Sequence, residues 1–231
     1  MTSKDTYNDK VPAQTRPLFI TFEGGEGVGK TTNIEYLKDL FEQQGIAFIS
    51  TREPGGTPMA EELRQLLLSP REEKVCSTAE LLLMFAARAQ HLTGLIEPSL
   101  AQGLSVICDR FTDATYAYQG FGRELGIEKI ATLEALVHGH RQPDITIVLD
   151  APVEVGMSRA RARGELDRFE QEKLAFFERV RQGYLSRAET NARYCVVDAS
   201  LPLEEVTAQI QDIFEQRILP LLNSRSNACQ G

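Results

Sequence analysis

The sequence predicts an α/β fold, a parallel sheet of about five strands with helices on both faces. Two observations predict it. Short apolar runs of strand type alternate with stretches of helical periodicity along the chain. Each strand-like run is also followed at once by glycine or charge: Gly24-Gly25-Glu26 after the first, Thr51-Arg52-Glu53 after the second, Asp109-Arg110, Asp150 and Asp198 after the rest. In such sheets ligands bind beyond the strand C-termini, so charge gathers where that edge should be.

The strands are expected at residues 18–22, 47–50, 105–108, 145–149 and 194–197. Helices are expected at 31–44, 58–68, 78–101, 127–138, 152–162, 171–189 and 203–219. The first helix rests on Ile34, Leu37, Leu40 and Phe41, which recur at helical spacing. The third rests on Leu81, Met84, Phe85, Leu92, Leu95 and Ile96, one apolar stripe that Arg88 interrupts. That helix has the pattern of a buried core element and equally of a dimer surface. No repeat or interdomain linker is visible, so residues 17–222 read as one domain, 1–16 as a disordered leader and 223–231 as a flexible tail.

Between the first strand and the first helix lies Gly24-Gly25-Glu26-Gly27-Val28-Gly29-Lys30-Thr31, of the form G-x-x-x-x-G-K-[ST], with Thr32 next. This is the phosphate-cradling P-loop, and it makes the predicted architecture a P-loop NTPase-type sheet. Its glycines let backbone N–H groups turn towards phosphate oxygens at a helix N-terminus. Lys30 would reach the outer phosphates and Thr31 would ligand Mg²⁺. The motif implies a nucleotide such as ATP; GTPases, ATPases and small-molecule kinases all use it.

Composition narrows the class. The chain of 231 residues is 42% hydrophobic and carries a formal charge of -8. An acidic surface argues against non-specific nucleic-acid binding. No apolar stretch is long enough to span a bilayer, and the first residues have no secretory character, so a cytoplasmic location is expected. Cys76, Cys108, Cys195 and Cys229 show neither C-x-x-C pairing nor metal-ligand spacing. Cys108 and Cys195 read as small core residues. His91, His138 and His140 read as structural or surface residues.

Four further constellations stand out. Asp109 could hold Mg²⁺ or its waters, or orient an arginine, and Arg110 could bind a phosphate; a strand-end ion pair is the alternative. Arg88 on its apolar stripe is either a buried ion pair, a snorkelled stem, or a cation lining an acceptor pocket. The run from Arg159 through Arg161 and Arg163 to Arg168 is either a solvated helix end or an arginine-rich lid that closes over transferring phosphate. The stretch TDATYAYQGFGR, residues 112–123, offers Gln119 to a base edge and tyrosines to a sugar, or is an ordinary loop-helix with scattered aromatics.

Several of these motifs together resemble the bacterial thymidylate kinase family: FEGGEGVGKTT, TREPGGTPMAEELRQLLL, FAARAQHL, CDRFTDATYAYQGFGR, PDITIVLD and RARARGELDRFEQE. The resemblance implies transfer of phosphate from ATP to dTMP, giving ADP and dTDP, with Mg²⁺, in a protein that is usually a homodimer. It implies that Glu26 approaches the sugar 3′-hydroxyl, that Arg64 and Arg110 hold the dTMP phosphate, and that Pro54 shapes the loop beneath it. It further implies that Arg88 and Gln119, assisted by Thr115, read the thymine edge, and that Tyr118 packs near C2′. Relatives place a transfer-stabilising arginine in the P-loop or the lid. Here no variable P-loop position is basic, so the resemblance assigns it to Arg163, with Arg161 and Arg168 in support. Many relatives stack a Phe on the base four residues before the base-reading arginine. That position is Met84 here, with Phe85 beside it, and either could serve.

Overall fold

The computed structural model describes residues 16–139, 141–162, 168–169 and 172–224. His140, Arg163, Cys229 and nearly all of the expected leader and tail lie outside the described residues. Arg16, expected in the leader, is tied down: its N–H donates to Leu222 O at 3.1 Å and its guanidinium to Asp144.

Five parallel strands form one sheet in the order β2-β3-β1-β4-β5. They are β1 (Phe19–Glu23), β2 (Phe48–Arg52), β3 (Ser105–Asp109), β4 (Ile145–Asp150) and β5 (Tyr194–Asp198). Each runs past its apolar stretch to take in the polar residue that follows. Strand pairing is a backbone property, and the ladder continues where the side chain no longer faces a core: Arg110 N donates to Phe22 O at 2.9 Å, Glu53 N to Asp109 O at 2.9 Å, and Ala199 N to Asp150 O at 2.7 Å.

The helices are α1 (Lys30–Gln43), α2 (Pro58–Leu68), α3 (Ser77–His91), α4 (Glu97–Ala101), α5 (Thr112–Thr115), α6 (Ile127–Val137), α7 (Val153–Ala162), α8 (Leu174–Ala188), α9 (Leu203–Ile213) and α10 (Leu219–Asn223). The expected helix over 78–101 is interrupted by a π-helical turn, Leu92–Ile96, and the expected helix over 203–219 by another, Phe214–Ile218. Both interruptions precede a proline, Pro98 and Pro220, that sits in the first turn of the next helix. A proline cannot donate to the ladder and its ring crowds the carbonyl four residues back, so a widened turn admits it. Residues 112–122 are helical throughout. α5 continues into a third π-helical segment, Tyr116–Gly122, most of it buried and packed on α8.

Both sheet faces are buried, as alternation along the strands shows. Ile20, Phe22, Ile107, Ile147 and Leu149 join one core with α1 and α9. Phe19, Val106 and Cys108 join another with Leu92, Ile96 and Phe111, and Val148 a third with α7 and α8. The strand ends of β1, β2 and β3 are left aligned at one edge: Phe22 and Arg52 both register with Asp109.

Candidate active site

The P-loop leaves β1 at the sheet centre, and its glycines are dictated by close approach. Gly24 has φ +133°, and a Cβ there would lie 2.4 Å from Leu149 O. Gly27 has φ +66°, and its Cβ would lie 1.9 Å from Gly156 O. Gly156, on α7, was not singled out by sequence; a Cβ there would meet Glu26 O at 2.3 Å, so two glycines make one backbone crossing. Gly25 faces open space. Gly29, also left-handed, precedes α1, and Lys30 folds back to donate to Gly25 O at 2.8 Å and Gly24 O at 3.3 Å. Burial, then neighbouring Arg110, lowers the Lys30 pKa. Its ammonium is thus held on carbonyls in a setting that favours contact with an anion.

A cleft of about 710 Å³ opens from this loop. It is lined by Glu26 to Thr32 on one side, by Arg52, Glu53 and Pro54 after β2, and by Asp109 and Arg110 after β3. Arg64 and Leu68 of α2, Met84 and Arg88 of α3, and Thr115, Tyr118 and Gln119 complete it with Arg159 and Phe169. Most residues singled out from sequence therefore meet at one place.

Arg110 is the hub. Its backbone is left-handed, φ +70°, which turns the side chain from the strand end back over the P-loop. Nη1 donates to Gly24 O and to Tyr184 Oη, each at 2.9 Å; Nη2 donates to Glu26 at 2.8 Å and Tyr118 Oη at 3.0 Å. Tyr118 Oη in turn donates to Glu26 at 2.5 Å. Burial alone would lower the Arg110 pKa, but Tyr118, Glu26 and Tyr184 outweigh it and raise it well above its ordinary value. Arg64 donates to Pro54 O at 2.9 Å, across a cis Glu53–Pro54 peptide, and burial and Arg52 lower its pKa. The positive field in this half of the cleft suits an anion.

The far wall is a buried chain of polar groups. Arg88 donates to Glu53 at 2.7 Å, Thr115 Oγ1 at 3.0 Å and Phe111 O at 3.1 Å, and lies over the rings of Phe85 and Phe111. Glu53 also meets His91 Nδ1 at 3.0 Å, whose Nε2 meets Thr51 Oγ1 at 2.7 Å. Burial alone would raise Glu53; Arg88 and His91 hold it below the ordinary carboxylate range. Arg88 is thus both a buried ion pair and a cleft residue. Its Nη1 remains a buried donor without a partner among the described residues. Met84 lines the cleft, whereas Phe85 does not: it is 2% exposed and packs with Leu81, Tyr116 and Ile130. A side chain one position along a helix points about 100° away, so only one of the two can face the cleft.

Asp109 Oδ1 is buried with no partner among the described residues, and Asp109 lines the same cleft as Lys30 and Thr31. No cluster of three potential metal-binding side chains exists among the described residues. One carboxylate and one hydroxyl fit Mg²⁺, which keeps waters and substrate phosphates as its other ligands.

The described arginines of the basic run stand in separate settings. Arg159 donates to Ala199 O at 2.9 Å, and Arg161 is exposed on the last turn of α7. Arg168 donates to Leu67 O at 2.7 Å and to Glu80 at 2.8 Å. Sequence reading also passed over Tyr184, Glu53 and Glu80. Their signal, polar residues at apolar helical positions or within TREPGG, does not say which partner they meet. His91 and His138 are structural as expected, His138 bonding Thr112 and Arg141.

Comparison with known proteins places these features in company. The family model described as Thymidylate kinase matches residues 22–210. The chain is 60% identical over 194 residues to a thymidylate kinase of Pseudomonas entomophila (strain L48), covering 84% of this chain and 92% of that protein. It is 56% identical over 215 residues to one of Ectopseudomonas mendocina (strain ymp), covering 93% and 99%. It is 59% identical over 198 residues to one of Teredinibacter turnerae, covering 85% and 97%.

Proposed function

The chain belongs to the thymidylate kinase family, and on that premise we propose that it transfers the γ-phosphate of ATP to dTMP through the residues of this cleft. One observation supports the assignment most: a single cleft joins the P-loop to Arg88 Nη1, a buried donor awaiting an acceptor. A base carbonyl such as thymine O4 answers that need, while Gln119 and Thr115 flank it and Met84 lies against the ring. Tyr118, held by Glu26 and Arg110, occupies the sugar region.

In the reaction a dTMP phosphate oxygen attacks the γ-phosphorus, a new P–O bond forms, and the bond to the β–γ bridging oxygen breaks to release ADP. A phosphate monoester is largely ionised at neutral pH, so no strong base is required. Arg110 and Arg64 neutralise and orient the acceptor phosphate. Arg110 is already fixed by four hydrogen bonds, so little side-chain entropy is lost when the substrate arrives. Lys30 exchanges its carbonyl partners for ATP phosphate oxygens. Mg²⁺, when bound, supplies charge neutralisation across the phosphates; Thr31 and Asp109 would hold it. Arg163, which lies outside the described residues, supplies the cation at the transferring group. Arg163→Ala should therefore lower kcat about 10³-fold while leaving dTMP affinity nearly intact.

We further assign the enzyme to the cytoplasm and to a homodimer, for which exposed Met59 and Leu66 of α2 and Leu82 of α3 offer apolar surface. The deciding assay is ADP release with ATP and Mg²⁺ across a panel of nucleoside monophosphates. dTMP should be strongly preferred; equal turnover of dCMP or dGMP would refute the base assignment.

A further inference from the structure

Gln119 is 1% exposed, and its carboxamide has two ends of opposite polarity. The Nε2 end lies 2.8 Å from Glu80 Oε1, and Glu80 is itself 1% exposed on α3. Glu80 is also gripped by Arg123, at 3.3 Å, and by Arg168, at 2.8 Å. A carboxylate held by two guanidinium groups can only accept hydrogen bonds, so the chemistry of Glu80, and not a choice between look-alike atoms, obliges Gln119 to turn its NH₂ towards it. The end left for the cleft is then the carbonyl oxygen.

We propose that Glu80 is a positioning residue that sets base specificity by locking the polarity of the Gln119 amide. The proposal rests on Gln119 facing the base, as argued above. Glu80 is absent from the cleft wall, and of its partners Gln119, Arg123 and Arg168 only Gln119 lines the cleft. With the lock in place the recess presents a donor from Arg88 Nη1 beside an acceptor from Gln119 Oε1. A pyrimidine with a carbonyl next to a ring N–H, as in thymine and uracil, matches that order. Cytosine offers an amino group next to a bare ring nitrogen, the inverted order, and would leave Arg88 facing a donor. Were the amide free to rotate, Gln119 could present its NH₂ instead and part of the discrimination would vanish.

The test is the ratio of kcat/KM for dTMP to that for dCMP. In Glu80→Gln the side chain at 80 can donate or accept, so Gln119 is no longer obliged to one orientation, and the ratio should fall about tenfold or more. Glu80→Asp keeps an acceptor-only partner and should retain most of the preference. The exchange Glu80→Gln/Gln119→Glu puts an acceptor-only group at 119 with a donor behind it and should recover preference relative to Glu80→Gln. A merely structural ion pair predicts another pattern: kcat and thermal stability fall for every substrate, the ratio stays at its original value, and the exchange restores nothing. That result would overturn the proposal. If Glu80→Gln does not fold, the unaltered protein decides. The side-chain NH₂ hydrogens of Gln119, followed by ¹⁵N NMR, should exchange slowly both without and with dTMP. Fast exchange in the free protein that slows only on binding would overturn the lock. If the unaltered enzyme shows no preference for dTMP over dCMP, it is the base assignment that fails, and the two failures are thereby distinct.

Discussion

Four of the five strands end in a carboxylate, and the two sides of the sheet treat it differently. At the ends of β4 and β5 the carboxylates are satisfied. Asp150 receives a bidentate pair from Arg181, at 2.7 and 2.8 Å, and Asp198 accepts from Ser200 N at 2.9 Å and Ser200 Oγ at 2.5 Å. At the ends of β1 and β3 they are not. Glu23 is fully buried, and burial, then the charge of Asp113, pushes its pKa up to about 8. Asp109 keeps a buried oxygen without a partner among the described residues. A strand-end acid is a weak sign of function by itself. An unpartnered one beside a P-loop is a stronger sign, because buried acceptors in folded chains are nearly always hydrogen-bonded.

This contrast can be broken or sharpened by substitution. The largest effect should come from the loop that β1 feeds: Lys30→Ala should lower kcat about 10³-fold or more, and a near-normal rate would remove the phosphate site altogether. Next come the paired acids. Asp109→Asn should lower kcat about 10²-fold and raise the Mg²⁺ concentration needed for half-maximal rate, whereas Asp150→Asn should change kcat less than about twofold. Equal effects of the two would erase the distinction between the sheet's sides.

A smaller effect concerns pH. Folded Glu23 keeps its proton up to about pH 8, while the unfolded chain sheds it near 4.5. Between those values the folded state binds more protons, so Glu23 makes stability fall as pH rises through that window; below it both states are protonated and nothing is lost. Urea denaturation at pH 5 and pH 8 should therefore show Glu23→Gln with the flatter dependence. The smallest effect is the stability cost of Asp150→Asn. Its pair with Arg181 is partly exposed, so the cost should be about 0.5–1 kcal/mol, seen as a slight drop in the denaturation midpoint.

Much of this was legible in the chain. The central strands β1, β3 and β4 were visible because both their faces are buried, which writes a nearly continuous apolar run; the edge strands β2 and β5 are partly exposed and show a shorter one. The P-loop was visible because its spacing of glycines, lysine and threonine is a local motif, with left-handed backbone at Gly27, φ +66°, and Gly29, φ +88°. Asp109 and Arg110 were placed by their position directly after a strand, and Arg64 only by the family resemblance. The π-helical turns at Leu92–Ile96 and Phe214–Ile218 were not visible, because the apolar pattern runs through them and only the prolines mark the shift. The partner of Arg168 was not visible for a similar reason: charge density in a segment is a local property, whereas Glu80 lies 88 positions away in sequence.

The sequence by itself determined the sheet, the phosphate loop and the family, because these depend on local backbone needs and on periodic burial. Tertiary structure alone decided which polar groups are satisfied. It spent Arg181 on Asp150, left Asp109 Oδ1 and Arg88 Nη1 buried without partners among the described residues, turned Met84 inward and Phe85 away, and set Glu80 behind Gln119. Hydrogen-bond partners are fixed by distances between segments remote in the chain, and no local pattern encodes those distances.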